Sequence, residues 1–157
     1  MHSNLSERDI LFCLAGKLND TKYCSFIKSM CKDNKNILLL DYVSDLEKAW
    51  LFLNSSLLVS TSTIEGFGIP VLDALSIDLP ILASDIPSHY EIGKLKEKSN
   101  ITLIKQNNEE IWIKYLKQID TFPIDNKEKK LNRIESFKKF SYNLENKSIS
   151  KIRKYIN

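Results

Sequence analysis

The 157-residue sequence predicts an α/β protein: a parallel β-sheet with helices on both faces, followed by C-terminal helices. Three observations carry this expectation. Short apolar runs alternate with segments of helical periodicity over the first two thirds of the chain. The runs are continuous rather than alternating, as in strands buried on both faces. The connections are short, as between the strands and right-handed crossover helices of a parallel sheet. In such sheets ligands bind beyond the carboxyl ends of the strands.

The elements follow in order. "ILFCLAG" (10–16) reads as a buried strand ending at Gly16. Tyr23, Phe26, Ile27 and Met30 then recur at i, i+3, i+4 and i+7, one helical face. "NILLLDYV" (36–43) is a second strand. Ser44 and Glu47 have the spacing of a capping box, and Leu46, Ala49, Trp50 and Leu53 line one face of the helix they open. "SLLVSTS" (56–62) is a third strand, followed by a helix over 69–77 and the strand "PILASD" (80–85). A short helix starts near Pro87 and stops near Gly93. "NITLIK" (100–105) is a fifth strand, and a helix runs from Glu109 to Ile119. From about Asp125 the chain is basic and helical, with Ile149, Ile152 and Ile156 on one face. Residues 1–157 are thus expected to form a single domain, with 125–157 as terminal helices packed on the sheet.

Composition narrows the function classes. A hydrophobic fraction of 43% and an aromatic fraction of 10% belong to a folded chain, not a disordered one. No apolar run approaches the roughly 20 residues that span a bilayer. "MHSNLSERDI" has no apolar core of a secretory signal. Cys13, Cys24 and Cys31 are an odd set without metal-ligand spacing, which fits free thiols in a reducing, cytoplasmic setting. Charge is uneven: residues 1–93 hold 7 Lys/Arg against 12 Asp/Glu, and residues 94–157 hold 16 against 8. The basic half reads as solvated helices that also suit a partner subunit or the anionic inner face of a membrane. It lacks the interleaved aromatics of a nucleic-acid motif, so no nucleic-acid partner is expected.

The chemistry concentrates in "STIEGFGIPVLDALSIDLPILASD" (62–85), which holds two of the chain's 4 glycines. Glu65-Gly66-Phe67-Gly68 lies between the third strand and a helix. Glycines there allow unusual backbone angles and close approach of a ligand to the main chain. Pro70 suits the first helical turn, where its missing N–H costs nothing. The N–H groups of Gly68 and Ile69 then stand free at a helix N-terminus, which favours an anion. Glu65 before the turn and Asp73 one turn into the helix are placed to flank one ligand. Carboxylates accept from two neighbouring hydroxyls at once, so the pair suits the sugar and ribose of a nucleotide sugar. The same spacing also fits a solvated Glu65 and an Asp73 that serves only the helix dipole; spacing alone leaves both open.

"EGFGIPVLDA" resembles the signature of the group 1 (family 4) retaining glycosyltransferases, enzymes of two Rossmann-like domains (the GT-B fold). Their motif is two acidic residues eight positions apart around a Gly-Phe-Gly turn. The flanks agree: "LLLDYVSDLEKAWLFLNSSLLVSTSTIEGFG" resembles the family's strand, turn, helix, strand and loop, "LPILASDIPSHYEIG" the strand and loop after the motif, and "FKKFSYNLENKSISKIRKYI" its closing helix. The resemblance covers roughly residues 10–157 and implies the C-terminal, donor-binding domain. It implies that Glu65 holds hydroxyls of the donor sugar at the reacting centre. The backbone of Gly66, Phe67, Gly68 and Ile69 would line the sugar and diphosphate, and Asp73 would bind the ribose. Tyr42 and Val43 would lie near the nucleobase. The implied reaction transfers a glycosyl group from a nucleotide sugar with retention, in polysaccharide or glycoconjugate synthesis, with no metal and no cofactor.

Two departures stand out. Asp73 is one methylene shorter than the usual Glu, a loss of reach of about 1.5 Å. The family's C-terminal domain opens with a strand, a glycine-containing loop and a basic pair that neutralises the donor diphosphate, whereas this sequence starts at about the next strand. Neutralising the leaving group is a large term in such transfers. The expectation is therefore a chain inactive by itself, which needs a separate N-terminal half or an oligomeric partner. The rival reading is a non-catalytic Rossmann-like module that binds a partner subunit or a membrane surface; a sugar-nucleotide epimerase lacks matching acid–base groups here. His89, in "IPSHYEIG", reads as a surface loop residue, Glu91 as a local cap or pairing residue, and Trp112 and Tyr115 as core.

Overall fold

A computed structural model describes residues 10–19, 21–97, 99–106, 108–118 and 131. Of the expected terminal helices at 125–157, all but Leu131 lie outside the described residues. The order is β1 (Phe12–Ala15), α1 (Lys22–Cys31), β2 (Ile37–Leu40), α2 (Asp45–Asn54), β3 (Leu58–Ser60), α3 (Ile69–Ser76), β4 (Ile81–Ser84), α4 (Pro87–Gly93), β5 (Ile101–Ile104) and α5 (Glu109–Lys117). The fold is α/β and Rossmann-like: every strand pairing is parallel, and helices alternate with strands. The strands are hydrogen-bonded in two groups, β1-β2 and β3-β4-β5, rather than as one continuous sheet. The chain accordingly divides into two compact units, one within Met1–Lys48 and one within Ala49–Lys147.

In the first unit, Phe12 to Ala15 lie beside Ile37 to Leu40 in register. Thr21 caps α1, its Oγ1 accepting from the Cys24 N–H at 3.1 Å. The apolar face expected on α1 exists, but it is open: α1 buries none of its residues, and Tyr23 is 70% exposed. A two-stranded ladder is too small to cover a helix face. The second strand also stops earlier than its apolar run. Asp41 Oδ1 accepts the N–H of Leu18 at 2.9 Å and of Tyr42 at 2.8 Å, which turns the chain out of the strand. The capping box of α2 forms as its spacing predicts. The Ser44 N–H donates to Glu47 Oε2 at 2.8 Å, and the Glu47 N–H donates to Ser44 Oγ at 3.3 Å.

The second unit holds the core. β4 is the central strand, in register with Leu58–Ser60 on one side and Ile101–Ile104 on the other. All four of its residues are buried, which explains its continuous apolar sequence. Val71, Ala74 and Leu75 of α3 pack with Leu79, Ile81, Ala83 and Ile92 in one cluster. Each large aliphatic side chain buried in this way contributes about 1.5–3 kcal/mol. Trp112 and Leu116 of α5 are buried, and Tyr115 is half-buried. This packing places the β3–α3 loop and the start of α4 at the carboxyl edge of the three-stranded sheet.

Candidate functional site

The loop from Thr61 to Gly68 follows β3. Ser62 Oγ donates to Glu65 Oε1 at 2.7 Å, so the half-buried Glu65 carboxylate is held by its own loop. Beyond β5, the Gln106 side-chain amide donates to the Thr63 carbonyl at 2.9 Å and ties the loop to the same sheet edge. Gly68 closes the loop as the N-cap of α3, with φ 79° and ψ 42°. A Cβ there would lie 3.1 Å from Ile92 Cδ1 and 3.2 Å from His89 Cδ2, so both conformation and space require glycine. At Gly66 a Cβ would meet nothing within 4 Å, which leaves open space beside the main chain.

The first turn of α3 is rich in donors. Val71 and Leu72 donate to the Gly68 carbonyl at 3.0 and 3.1 Å, and Pro70 has no N–H to place. Among the described residues, no protein group accepts the N–H of Gly66, Phe67, Gly68 or Ile69. Unpaired N–H groups at a helix start carry partial positive charge and attract anions. Phe67, 61% exposed, and the exposed Ile64 and Ile69 give this turn an apolar rim. Asp73 is half-buried on the next turn of α3. Glu65 and the 66–69 turn are thus brought together at one sheet edge, with Asp73 on the helix that starts there. Tyr42 and Val43 belong to the first unit, in the β2–α2 loop; Tyr42 is 75% exposed and Val43 half-buried.

One expectation is corrected. His89 is not a surface loop residue: it lies within α4 and is 0% exposed. Its Nδ1 is 2.9 Å from the Ser84 carbonyl. The signal was present in the sequence, since Ile86, His89 and Ile92 recur at helical spacing and are all buried. Among the described residues no group of His, Cys, Asp and Glu is arranged to hold a metal ion, and no helix is long and apolar enough to cross a membrane.

The family model described as "Glycosyl transferases group 1" matches residues 2–139. The chain belongs to the group 1 glycosyltransferases. The matched span contains the whole acidic motif, its flanking strands and the buried His89. This glycosyltransferase chain is 28% identical over 106 residues to the O-antigen chain mannosyltransferase RfbU of Salmonella typhimurium, which covers 66% of the chain and 29% of RfbU. It is 33% identical over 76 residues to the serotype-specific mannosyltransferase WbdA of Escherichia coli, covering 48% of the chain and 9% of WbdA. The chain thus spans less than a third of the length of either relative. No solved structure matches it.

Proposed function

We propose that this glycosyltransferase chain serves as the donor-binding domain of a retaining enzyme and holds a nucleotide sugar at the start of α3. The observation that carries the reading is the set of unpaired N–H groups at Gly66–Ile69, beside the half-buried Glu65, on the carboxyl edge of a parallel sheet. The N–H groups and the helix end provide for the diphosphate. Glu65, already accepting from Ser62, exchanges or shares that bond with sugar hydroxyls and holds the glycosyl group for transfer. Asp73 serves the ribose with a shorter reach than a Glu would have. No metal or organic cofactor is needed for this binding. The names of RfbU, an O-antigen chain mannosyltransferase, and WbdA, a serotype-specific mannosyltransferase, favour a mannosyl donor and a polysaccharide product; work in the cytoplasm at the inner face of a membrane is part of the same proposal.

The test is a titration of the ¹⁵N-labelled chain with GDP, UDP and their sugars at millimolar concentration. Shift changes at Gly66, Gly68 and Ile69 are expected, and Glu65→Gln should weaken the nucleotide sugar about tenfold. Unmoved amides at all three positions with every ligand would remove the nucleotide-sugar assignment.

A further inference from the structure

Two side-chain atoms of the described residues are buried without a hydrogen-bond partner, Ser88 Oγ and His89 Nε2. A hydroxyl can rotate toward whatever is near it; the His89 ring is fixed. Its Nδ1 faces the Ser84 carbonyl at 2.9 Å. A carbonyl only accepts, so Nδ1 carries a proton, and in the neutral ring Nε2 then carries the lone pair. A buried acceptor without a donor is unfavourable, and packing alone does not require nitrogen at that ring position. Nε2 lies 3.6 Å from the place a Cβ on Gly68 would occupy. The orphaned Nε2 therefore lies beside the N-cap of α3, the turn whose N–H groups are unpaired. Phosphate oxygens, which only accept, cannot satisfy it. A hydroxyl can.

We infer that His89 is a further donor-site residue: its Nε2 lone pair, buried beside Gly68, accepts a hydrogen bond from a hydroxyl of the sugar seated at the start of α3. This rests on the nucleotide-sugar reading of that turn. It adds a contact from α4, an element outside the acidic motif, and directs it to the sugar rather than the diphosphate.

The wild-type chain is titrated with GDP and GDP-mannose, and with UDP and UDP-glucose, and read at the turn amides and at the His89 imidazole ¹⁵N. The Nε2 resonance is expected to move with a nucleotide sugar and to stay in place with the nucleoside diphosphate alone. His89→Asn keeps an N–H for Ser84 but has no acceptor at the Nε2 position. It should weaken the nucleotide sugar about tenfold and the diphosphate by less than about twofold, and His89→Gln should recover part of the loss. Equal weakening of both ligands would mean a merely structural role and overturn the inference. So would an unmoved Nε2 resonance in wild type while the sugar nucleotide binds, a readout that stands even if the variants do not fold. If wild type binds no nucleotide at all, the donor-site reading falls and this inference with it; if wild type binds and His89→Asn binds equally well, only the inference falls.

Discussion

At Gly68 an added methyl group would meet Ile92 and His89 at 3.1–3.2 Å, on a backbone at φ +79°. The left-handed conformation costs an L-residue about 1–2 kcal/mol before any contact is counted. Gly68→Ala is therefore expected to lower stability by about 1–3 kcal/mol in urea unfolding. Gly66→Ala, with open space and no positive φ, should stay within about 0.5 kcal/mol. Sequence placed both glycines at the loop, but only packing separates their roles. Cys13 makes a second residue-scale case. Burial pushes its thiol pKa above the ordinary value, so the native chain holds that proton more tightly than the unfolded chain. Stability should then fall as pH rises past the ordinary thiol value. Iodoacetamide labelling of Cys13 at pH 8 should be slower in the native chain than in urea, since the thiolate is the nucleophile.

At the scale of elements, helix ends are set by named bonds. The Ser44–Glu47 capping box was legible from spacing alone and forms in the structure. Ser44→Ala should cost about 1 kcal/mol, and its effect should shrink in a Glu47→Ala background, because the two bonds act as a unit. The end of α3 was legible to within a residue, at 77 against Ser76, but the bonds that close it were not. The Leu79 N–H donates to the Ala74 carbonyl at 3.0 Å and the Asp78 N–H to the Leu75 carbonyl at 3.2 Å, with Asp78 at φ 58°. This is a Schellman closure with Asp in the left-handed position that glycine usually takes. An ion pair with Lys96 accompanies it. Asp78→Val should cost about 1–2 kcal/mol, whereas Asp78→Gly should not destabilise; thermal melts of the two variants separate them. The strands came out shorter than their apolar runs, as at 56–62 against Leu58–Ser60, because apolarity reports burial while a strand ends where its ladder bonds end.

At the scale of the whole molecule, the buried hydrophobic residues among those described run from Leu51 to Leu116, within the second unit. The amides of β4 should exchange last in hydrogen–deuterium exchange and those of β1 and β2 well before them. Leu82→Ala, at 0% exposure, should cost about 2–5 kcal/mol. The order of strands and helices, their parallel class and the position of the acidic motif at a strand-to-helix turn were readable from local patterns, because periodicity, capping chemistry and glycine placement act between near neighbours. The division of the strands into two ladders, the open face of α1, the unequal glycines and the contact of His89 with Gly68 were decided only in three dimensions. Each depends on which distant side chain fills a given space: α4 is far from Gly68 in sequence, yet His89 and Ile92 occupy the volume that makes Gly68 a glycine and leave a lone pair beside it.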